Sequence, residues 1–324
     1  MRAITRARYG PPDVLELREI KKPAVGDDDV LVRVHAASVN PLDWHMVTGV
    51  PYIARLRVGL RRPNDGRVGT DFAGTVETVG DDVEQFQPGD EVFGCRNGAL
   101  AEYVSVPEGR AVVGKPANVT FEEAAAVPVA AVTALQALRD KGGMQAGQKV
   151  LINGASGGVG TFAVQIAKAF GAEVTAVCST ANVDTVRSLG ADRVVDYTKE
   201  DFTRGNARYD LMVDIAGNRS WSDCKCVLAE RATCVGVGGP KTNRWFGRIG
   251  SALLLQRSTR RADRRFVVFL AMLNKEAVSA LRDLLAAAKI KPVIDRTYSL
   301  EQVREAFDYV GTGHARGKVV VSVR

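Results

Sequence analysis

The chain has 324 residues, of which 46% are hydrophobic and 25% are charged, and its formal net charge is +7. These fractions are ordinary for a globular protein, and the length suffices for about two domains with separate cores. The sequence has no apolar run of about 18 residues or more, which argues against a membrane-spanning helix.

The N-terminal residues alternate like a strand and lack the apolar core of a signal peptide. The five cysteines form no zinc-like pair of pairs, and Cys224 and Cys226 are too close together for the usual ligand geometry. We therefore expect reduced thiols and a cytoplasmic protein. The cysteines are Cys95, Cys178, Cys224, Cys226 and Cys234.

The first 120 residues favour strands. Short β-branched runs are separated by glycines and Pro-Gly turns, as in Gly69–Gly80 and Phe86–Gly94. This pattern predicts a small barrel or sandwich. An alanine-rich helix is predicted next, over Phe121–Leu138, with Thr120 as its N-cap and glutamates in its first turn.

The stretch Val150–Gly160 runs from a short apolar strand through a glycine-rich turn into a helix. In this setting Gly157 and Gly158 let the backbone approach a diphosphate, and Gly160 lets the helix pack closely on the strand. Free N–H groups of the first helical turn then face the anion. Ala155 stands where a first glycine is usual. The alternative is an ordinary strand-to-helix turn.

From Val150 onward strands alternate with helices, which predicts a parallel, doubly wound sheet. The predicted strands are Val150–Asn153, Glu173–Cys178, Arg193–Asp196, Leu211–Ile215, Arg231–Val237 and Phe266–Ala271. The predicted helices are Thr161–Phe170, Asn182–Leu189, Lys275–Ala288 and Leu300–Val310. A closing β-branched strand, Lys318–Val323, is too remote along the chain to belong to that sheet.

Residues 241–265 carry eight cationic side chains and a single acid, Asp263, so this segment accounts for the whole net charge of +7. Such a basic, partly apolar stretch can lie on an anionic membrane surface. It can equally be a solvated loop whose leucines cover a substrate pocket or a subunit contact. Because the positive charge is confined to one segment without a recognised reading motif, nucleic-acid binding is not expected.

Several motifs follow one another in the order typical of medium-chain dehydrogenases/reductases. They are Gly69-x-Asp71-x-x-Gly74, Phe86-x-Pro88-Gly89-Asp90, the glycine turn near residue 155 and Gly190-Ala191-Asp192. Asn40-Pro41-x-Asp43 and the stretch Gly313–Val320 resemble the zinc-free, quinone-oxidoreductase-like branch of that superfamily. The resemblance covers essentially the whole chain.

This resemblance implies an α/β fold of two domains. A GroES-like, β-rich catalytic domain is expected to comprise residues 1–121 and 273–324. A Rossmann domain with a doubly wound parallel sheet is expected over residues 122–272. The active site is then expected in the cleft between the two domains.

Zinc enzymes of the superfamily use a Cys, a His-Glu pair and a second Cys or Asp. The matching positions here are Asn40, Thr70-Asp71 and the neighbourhood of Pro128-Val129. Tight zinc binding needs three or more Cys, His or carboxylate ligands, and only Asp71 qualifies. His45 matches a proton-relay histidine of zinc enzymes and equally suits a surface loop. We expect no metal site.

Sites that prefer NAD hold the ribose with an acid about 20 positions beyond the glycines. Here the second strand ends in Cys178-Ser179-Thr180-Ala181-Asn182, without a carboxylate. Ser179, Thr180 and Asn182 can donate hydrogen bonds to a 2′-phosphate, and by resemblance Tyr197 closes over it. Ala181 stands where relatives often place Arg or Lys. We predict a preference for NADPH with NADH also accepted; the alternative is a turn indifferent to both.

The resemblance adds further cofactor contacts: Thr133 near the nicotinamide, the turns after two later strands, and a lysine near the C-terminus. The full predicted cofactor set is Thr133, Ala155, Ser156, Gly157, Gly158, Val159, Ser179, Thr180, Asn182, Tyr197, Ala216, Gly217, Val237, Gly238 and Lys318.

Without a metal, hydride transfer depends on positioning and on hydrogen bonds to the oxygen that gains charge. We predict hydride transfer from NADPH to a quinone or an α,β-unsaturated carbonyl. Asn40 is the predicted amide donor, Tyr52 or water the proton source, and Asp43 a brace for the loop. The alternative is an NADPH-binding accessory protein at the membrane periphery with little turnover. The family also suggests a homodimer.

Overall fold

The computed structural model describes residues 1–52, 55–238 and 249–323. The chain divides into two compact units, residues 1–132 with 273–324 and residues 133–272. The predicted fold class is confirmed: the first unit is β-rich, with a mostly antiparallel sheet, and the second is built on a parallel sheet.

The regular elements occur in the following order. Up to residue 135 they are β1 (Arg2–Thr5), β2 (Glu16–Glu19), β3 (Asp29–Val39), α1 (Pro41–Thr48), α2 (Arg55–Val58), β4 (Asp71–Val79), β5 (Glu91–Cys95), β6 (Tyr103–Pro107), β7 (Val112–Gly114), α3 (Phe121–Ala125) and α4 (Pro128–Leu135). The middle of the chain forms β8 (Lys149–Asn153), α5 (Gly158–Ala169), β9 (Glu173–Cys178), α6 (Val183–Ser188), β10 (Arg193–Asp196), β11 (Tyr209–Asp214), α7 (Trp221–Val227), β12 (Leu228–Gly236), α8 (Ile249–Thr259) and β13 (Arg265–Val268). The last part forms α9 (Lys275–Ala286), β14 (Ile294–Ser299), α10 (Val303–Thr312) and β15 (Lys318–Ser322).

The first unit contains a seven-stranded sheet in the order β14-β15-β3-β4-β5-β7, with β6 also paired to β3. Its closing strand β15 lies antiparallel to β3, so the chain's end completes the sheet that its beginning started. Val32, Phe72 and Val321 are among the side chains of its apolar core. As expected, the closing strand is separate from the middle sheet.

Strand register brings three strand ends of this unit together. Ser38, near the end of β3, pairs with Asp71 at the start of β4. Val39 pairs with Val319 at the start of β15. Because β3 runs antiparallel to both neighbours, its carboxyl end meets their amino ends, and Asn40 follows directly after it.

The helix predicted over 121–138 is interrupted. Its N-cap is confirmed, because the Thr120 hydroxyl accepts a hydrogen bond from the Glu123 amide. However, α3 ends at Ala125 and a second helix begins at Pro128. Proline lacks an N–H group and its ring clashes with the preceding turn, so it starts a helix better than it continues one.

The second unit contains a six-stranded, wholly parallel sheet in the order β10-β9-β8-β11-β12-β13. The chain moves outward from β8 in one direction and returns to continue from β11 in the other. Loops that leave a sheet on opposite sides of such a switch point diverge and leave room for a ligand. This point lies between β8 and β11.

The basic segment is only partly described, since residues 239–248 lie outside the described ranges. Within it, α8 exposes Leu253 and Leu254, the latter by 71%. Arg264 instead donates to the backbone carbonyls of Leu228 and Ala229. No helix in the described ranges is long and apolar enough to cross a membrane. Contact with a membrane surface and homodimer formation stay predictions.

Replacing Gly160 should test the close approach of α5 to the glycine-rich turn. A Cβ there would lie 2.1 Å from the carbonyl oxygen of Gly154, which is backbone and cannot swing away. We expect Gly160→Ala to lower the free energy of unfolding by about 1–3 kcal/mol. Gly157→Ala is the matched control, since its Cβ would lie 3.8 Å from the same oxygen. Denaturant titration measures both, and equal losses would contradict the packing described.

Candidate functional site

The glycine-rich turn joins β8 to α5 in the second unit. Gly154 adopts a φ of +92°, a conformation that favours glycine. In the described ranges no side chain caps α5, which starts after Gly157. By contrast, Thr120 and Ser220 cap their helices with side-chain oxygens. The first-turn amides of α5 are therefore available to an anionic ligand.

A polar pair holds the adjoining strand ends in place. The Asn153 side-chain amide, at the end of β8, donates to Asp214 at 2.8 Å. The same Asp214 oxygen accepts a hydrogen bond from the Gly217 amide at 2.9 Å. The predicted turn Ala216-Gly217 is thereby fixed beside Gly154, where an added Cβ would lie 3.1 Å from the Ala216 nitrogen. Sequence analysis did not identify this pair.

The next turn, after β12, lies against the same strand end. The Val237 amide donates to the Asp214 carbonyl at 2.9 Å. A Cβ on Gly238 would lie 2.3 Å from the Ile215 carbonyl oxygen. The predicted cofactor turns after β8, β11 and β12 are thus adjacent.

The proposed ribose side is linked to the glycine-rich turn by Asn182. Its side-chain amide donates to the Ser179 hydroxyl at 3.0 Å and to the Ser156 hydroxyl at 3.3 Å. Both serines accept these bonds with their oxygens, so each keeps its own hydroxyl hydrogen for another acceptor. Three predicted cofactor residues therefore share one hydrogen-bonded group.

Thr180 is engaged differently. Its hydroxyl donates to the carboxylate of Asp196 at 2.6 Å, and Thr198 donates to the other carboxylate oxygen at 2.7 Å. The hydrogen bond from Thr180 lowers the pKa of Asp196 to about 2, with Thr198 contributing. Tyr197, which stands between Asp196 and Thr198 in the sequence, is 52% exposed. Asp196 ends the neighbouring strand β10 rather than β9, so the spacing from the glycine-rich turn does not point to it.

In the first unit the three converging strand ends build a buried polar cluster. It consists of Ser38, Asn40, Asp43, Asp71 and Lys318, all of which are almost fully buried. Asp71 lies 3.6 Å from the Lys318 ammonium and accepts hydrogen bonds from the side chains of Ser38 and Asn40 at 2.9 Å each. We call this group the buried cluster.

Asn40 is the centre of the buried cluster. Its amide nitrogen donates to Asp71 and to Asp43, and its carbonyl oxygen accepts a hydrogen bond from Lys318. All of the hydrogen-bonding groups of its side-chain amide are therefore directed to neighbours within the cluster. Asp43 also accepts from the Asn40 backbone at 2.8 Å and from the Thr70 hydroxyl at 2.6 Å.

Burial dominates the electrostatics of this cluster. It raises the pKa of Asp43 to about 6, although the bond from Thr70 works against the rise. It also raises the pKa of Asp71, which Lys318 partly offsets. The pKa of Lys318 is lowered by burial, with Asp71 and Asp43 opposing that effect. Two buried carboxyl groups thus share a single ammonium.

The structure places four further predicted residues in different surroundings. Tyr52 packs its ring against the guanidinium of Arg55, 4.5 Å from the ring centroid. His45 donates from Nδ1 to the Val50 carbonyl at 2.7 Å, because a carbonyl can only accept. Thr133 is the first residue of the second unit, in α4. Lys318, predicted as a cofactor contact, lies in the buried cluster and is 3% exposed.

Metal ligands are not grouped in the described ranges, which contain no cluster of three or more His, Cys, Asp or Glu side chains suited to an ion. Where zinc enzymes of the superfamily have ligands, this chain has an amide at Asn40 and a hydroxyl at Thr70. The carboxylate of Asp71 is paired with an ammonium.

Two family models match the chain. The model described as alcohol dehydrogenase GroES-like domain matches residues 26–117, and the one described as zinc-binding dehydrogenase matches residues 189–321. Together they cover most of both units.

Relatives match along nearly the whole length. The mitochondrial NAD(P)H oxidoreductase RTN4IP1 of Mus musculus is 36% identical, over 98% of this chain and 87% of its own. The 2-methylene-furan-3-one reductase of Solanum lycopersicum is 35% identical, over 99% of this chain and 79% of its own. The solved structure of the quinone oxidoreductase from Coxiella burnetii has a TM-score of 0.86 and is 32% identical, and the match covers 100% of this chain and 99% of that one. The chain therefore belongs to the medium-chain dehydrogenase/reductase superfamily, in its quinone-oxidoreductase-like branch.

Proposed function

We propose that the chain is an oxidoreductase that uses NADPH to reduce an α,β-unsaturated carbonyl or a quinone, without a metal ion. The similar mouse protein is named as an NAD(P)H oxidoreductase, and the similar tomato protein as a reductase of an exocyclic enone. The proposal that no metal ion takes part rests on the Lys318 ammonium, which lies between Asn40 and Asp71.

A zinc ion at this position is disfavoured by the chemistry of its neighbours. Zinc binds thiolate, imidazole and carboxylate ligands, usually at least three from the protein. Here the amide of Asn40 and the hydroxyl of Thr70 are poor ligands. The remaining carboxylate, Asp71, already neutralises a buried cation that would repel Zn²⁺. The lysine thus supplies internally the positive charge that a metal supplies in zinc enzymes.

Features of the second unit support binding of the dinucleotide there. Its diphosphate would bind the uncapped first-turn amides of α5 with Ser156, and its ribose phosphate would bind the hydroxyl of Ser179, which Asn182 positions. When bound, the reduced nicotinamide supplies the hydride. The close backbone approach that Gly160 allows keeps the first turn of α5 against the strand end.

The hydrogen bonds of Asn40 support a role in positioning its neighbours rather than in direct contact with the substrate. Both donor positions of its side-chain amide are committed to carboxyl groups, so we assign it to positioning Lys318 and Asp71. Thr70 is half-buried, and its hydroxyl connects the cluster to its surroundings through Asp43. Tyr52 stays a predicted proton donor, as does water.

The function is tested by following NADPH oxidation with a panel of quinones, enones and aldehydes. We expect turnover with quinones or enones, and the same turnover after dialysis against a strong chelator. Metal content is measured on the same samples. NADPH binding without oxidation across the panel would favour the accessory-protein alternative. Loss of activity on chelation, restored by zinc, would contradict the metal-free mechanism.

A substitution at Ala181, an exposed residue of the turn after β9, should increase the preference for NADPH over NADH. An arginine there adds a charge-assisted hydrogen bond to a 2′-phosphate, which is worth about 1.5–3 kcal/mol. Ala181→Arg should therefore raise the ratio of kcat/KM for NADPH over NADH about tenfold. Ala181→Gln is the uncharged control. A ratio unchanged by arginine would remove this turn from the phosphate site.

Replacing Lys318 should reveal how much the burial of the Asp71 carboxylate destabilises the fold. In Lys318→Met the buried carboxylate lacks its counterion, and near pH 7 the free energy of unfolding should fall by about 3–5 kcal/mol. Without the lysine, the folded-state pKa of Asp71 lies further above its value in the unfolded chain. Stability is accordingly retained at low pH, where Asp71 binds a proton, and is lost as pH rises through the folded-state pKa.

The double variant Lys318→Met with Asp71→Asn is the control, because it removes both charges together. Denaturant titrations from pH 5 to pH 8 should show a deficit that grows with pH in the single variant and is much smaller in the double one. A deficit that is the same at every pH would contradict the ion pair.

A further inference from the structure

Arg6 is a buried cation that the proposed chemistry does not use. It is 6% exposed, and its Nη1 donates to the Met46 carbonyl. Its guanidinium lies 5.2 Å from the centroid of the Tyr9 ring. Within the described ranges its Nε has no hydrogen-bond partner. Burying a charged group without full pairing is costly, so this arginine calls for an explanation.

Arg6 lines a cavity of about 180 Å³ in the first unit. Its wall is apolar at Leu42 and Met46 and cationic at Arg6 and Arg67. Thr70 also lines it and connects it to the buried cluster through Asp43. The cavity has room for about six water-sized groups, which corresponds to a carboxylate with a short hydrocarbon chain.

In the described ranges the nearby acids pair with groups other than Arg6. Asp65 is bound by Arg67 at 2.8 Å and by the Asn97 amide at 2.8 Å, so its carboxylate is occupied by those partners. Asp43, the other acid at the wall, accepts hydrogen bonds from Asn40 and Thr70 within the cluster. Burial lowers the pKa of Arg6, while Tyr9 and Asp65 oppose that effect. An anion in the cavity would supply the missing counterion.

We propose that this cavity binds a carboxylate carried by the substrate itself, so that the substrate is an enone joined to its acid by a short hydrocarbon chain. Arg6 is the buried anchor, and the more exposed Arg67 lies nearer solvent. The apolar wall packs against the intervening carbons, and the carbonyl end lies toward Thr70. This assignment rests on the proposed function, since it names the substrate class of that reaction.

The test uses a matched pair of probes, 6-oxonon-7-enoate and its methyl ester, as substrates. Their saturated products, 6-oxononanoate and its ester, serve as ligands in calorimetry with the full chain. We expect the acid to bind about tenfold or more tightly than the ester, and its KM to be lower by a similar factor. Arg6→Met should abolish both differences. Arg8→Met is the control, because Arg8 is exposed two residues away.

Two further variants keep the test decisive if Arg6→Met fails to fold. Arg6→Lys retains the charge without the planar fork and should retain part of the discrimination. Arg67→Met, on an exposed side chain, should reduce it. Equal affinity of the unmodified protein for acid and ester overturns the inference without any variant.

Three outcomes separate this inference from the function on which it rests. Selective binding of the acid without NADPH oxidation means that the cavity is an anion site and that the proposed function is wrong. Oxidation with acid and ester at equal KM means that the proposed function holds and that the inference is wrong. If acetate or inorganic phosphate binds as tightly as 6-oxononanoate, the cavity is a site for small free anions and the substrate assignment fails.

Discussion

The buried ion pair between Lys318 and Asp71 is the constraint on which the first unit depends. Neither charge has access to water, so each requires the other and the hydrogen bonds of Asn40 and Ser38. The pair can form only if β15 lies beside β3, with β4 on the other side. The chain's end is thereby fastened to its beginning at the point where substrate chemistry is proposed.

The second unit depends on a different constraint, the close contact of backbone with backbone. Gly160 and Gly238 leave no room for a Cβ against the neighbouring carbonyl groups. Asn153 and Asp214 fix the loops on either side of the switch point. An uncapped helix end, costly in an isolated protein, becomes a binding site when an anion takes the place of the cap. The two constraints, one ionic and one steric, support the proposed metal-free site and the proposed phosphate site.

Much of this could be predicted from sequence where the signal is local. The strand–turn–helix at Val150–Gly160, the cap at Thr120 and the alternation of strands and helices depend on residues a few positions apart. The break before Pro128 was also visible in the sequence, but the alanine-rich pattern on both sides obscured it. Local patterns therefore identified the fold class and the strand–turn–helix that is proposed to bind the cofactor.

The contacts of the buried cluster were beyond such reasoning. Lys318 and Asn40 are 278 positions apart, and only the strand order brings them together. A motif comparison assigned Asn40 and Lys318 to substrate and cofactor without showing that they bind each other. Thr180 was likewise predicted as a free donor, whereas it is bonded to Asp196 on the adjacent strand. Hydrogen bonds between distant segments determine which predicted donors remain available.

The central claim, that a lysine occupies the place of a metal, is tested most directly by X-ray diffraction at the zinc absorption edge from crystals grown with zinc. We expect no anomalous peak beside Asp71, and electron density for the Lys318 ammonium between Asn40 and Asp71. An anomalous peak bonded to Asp71, with Lys318 displaced, would contradict it.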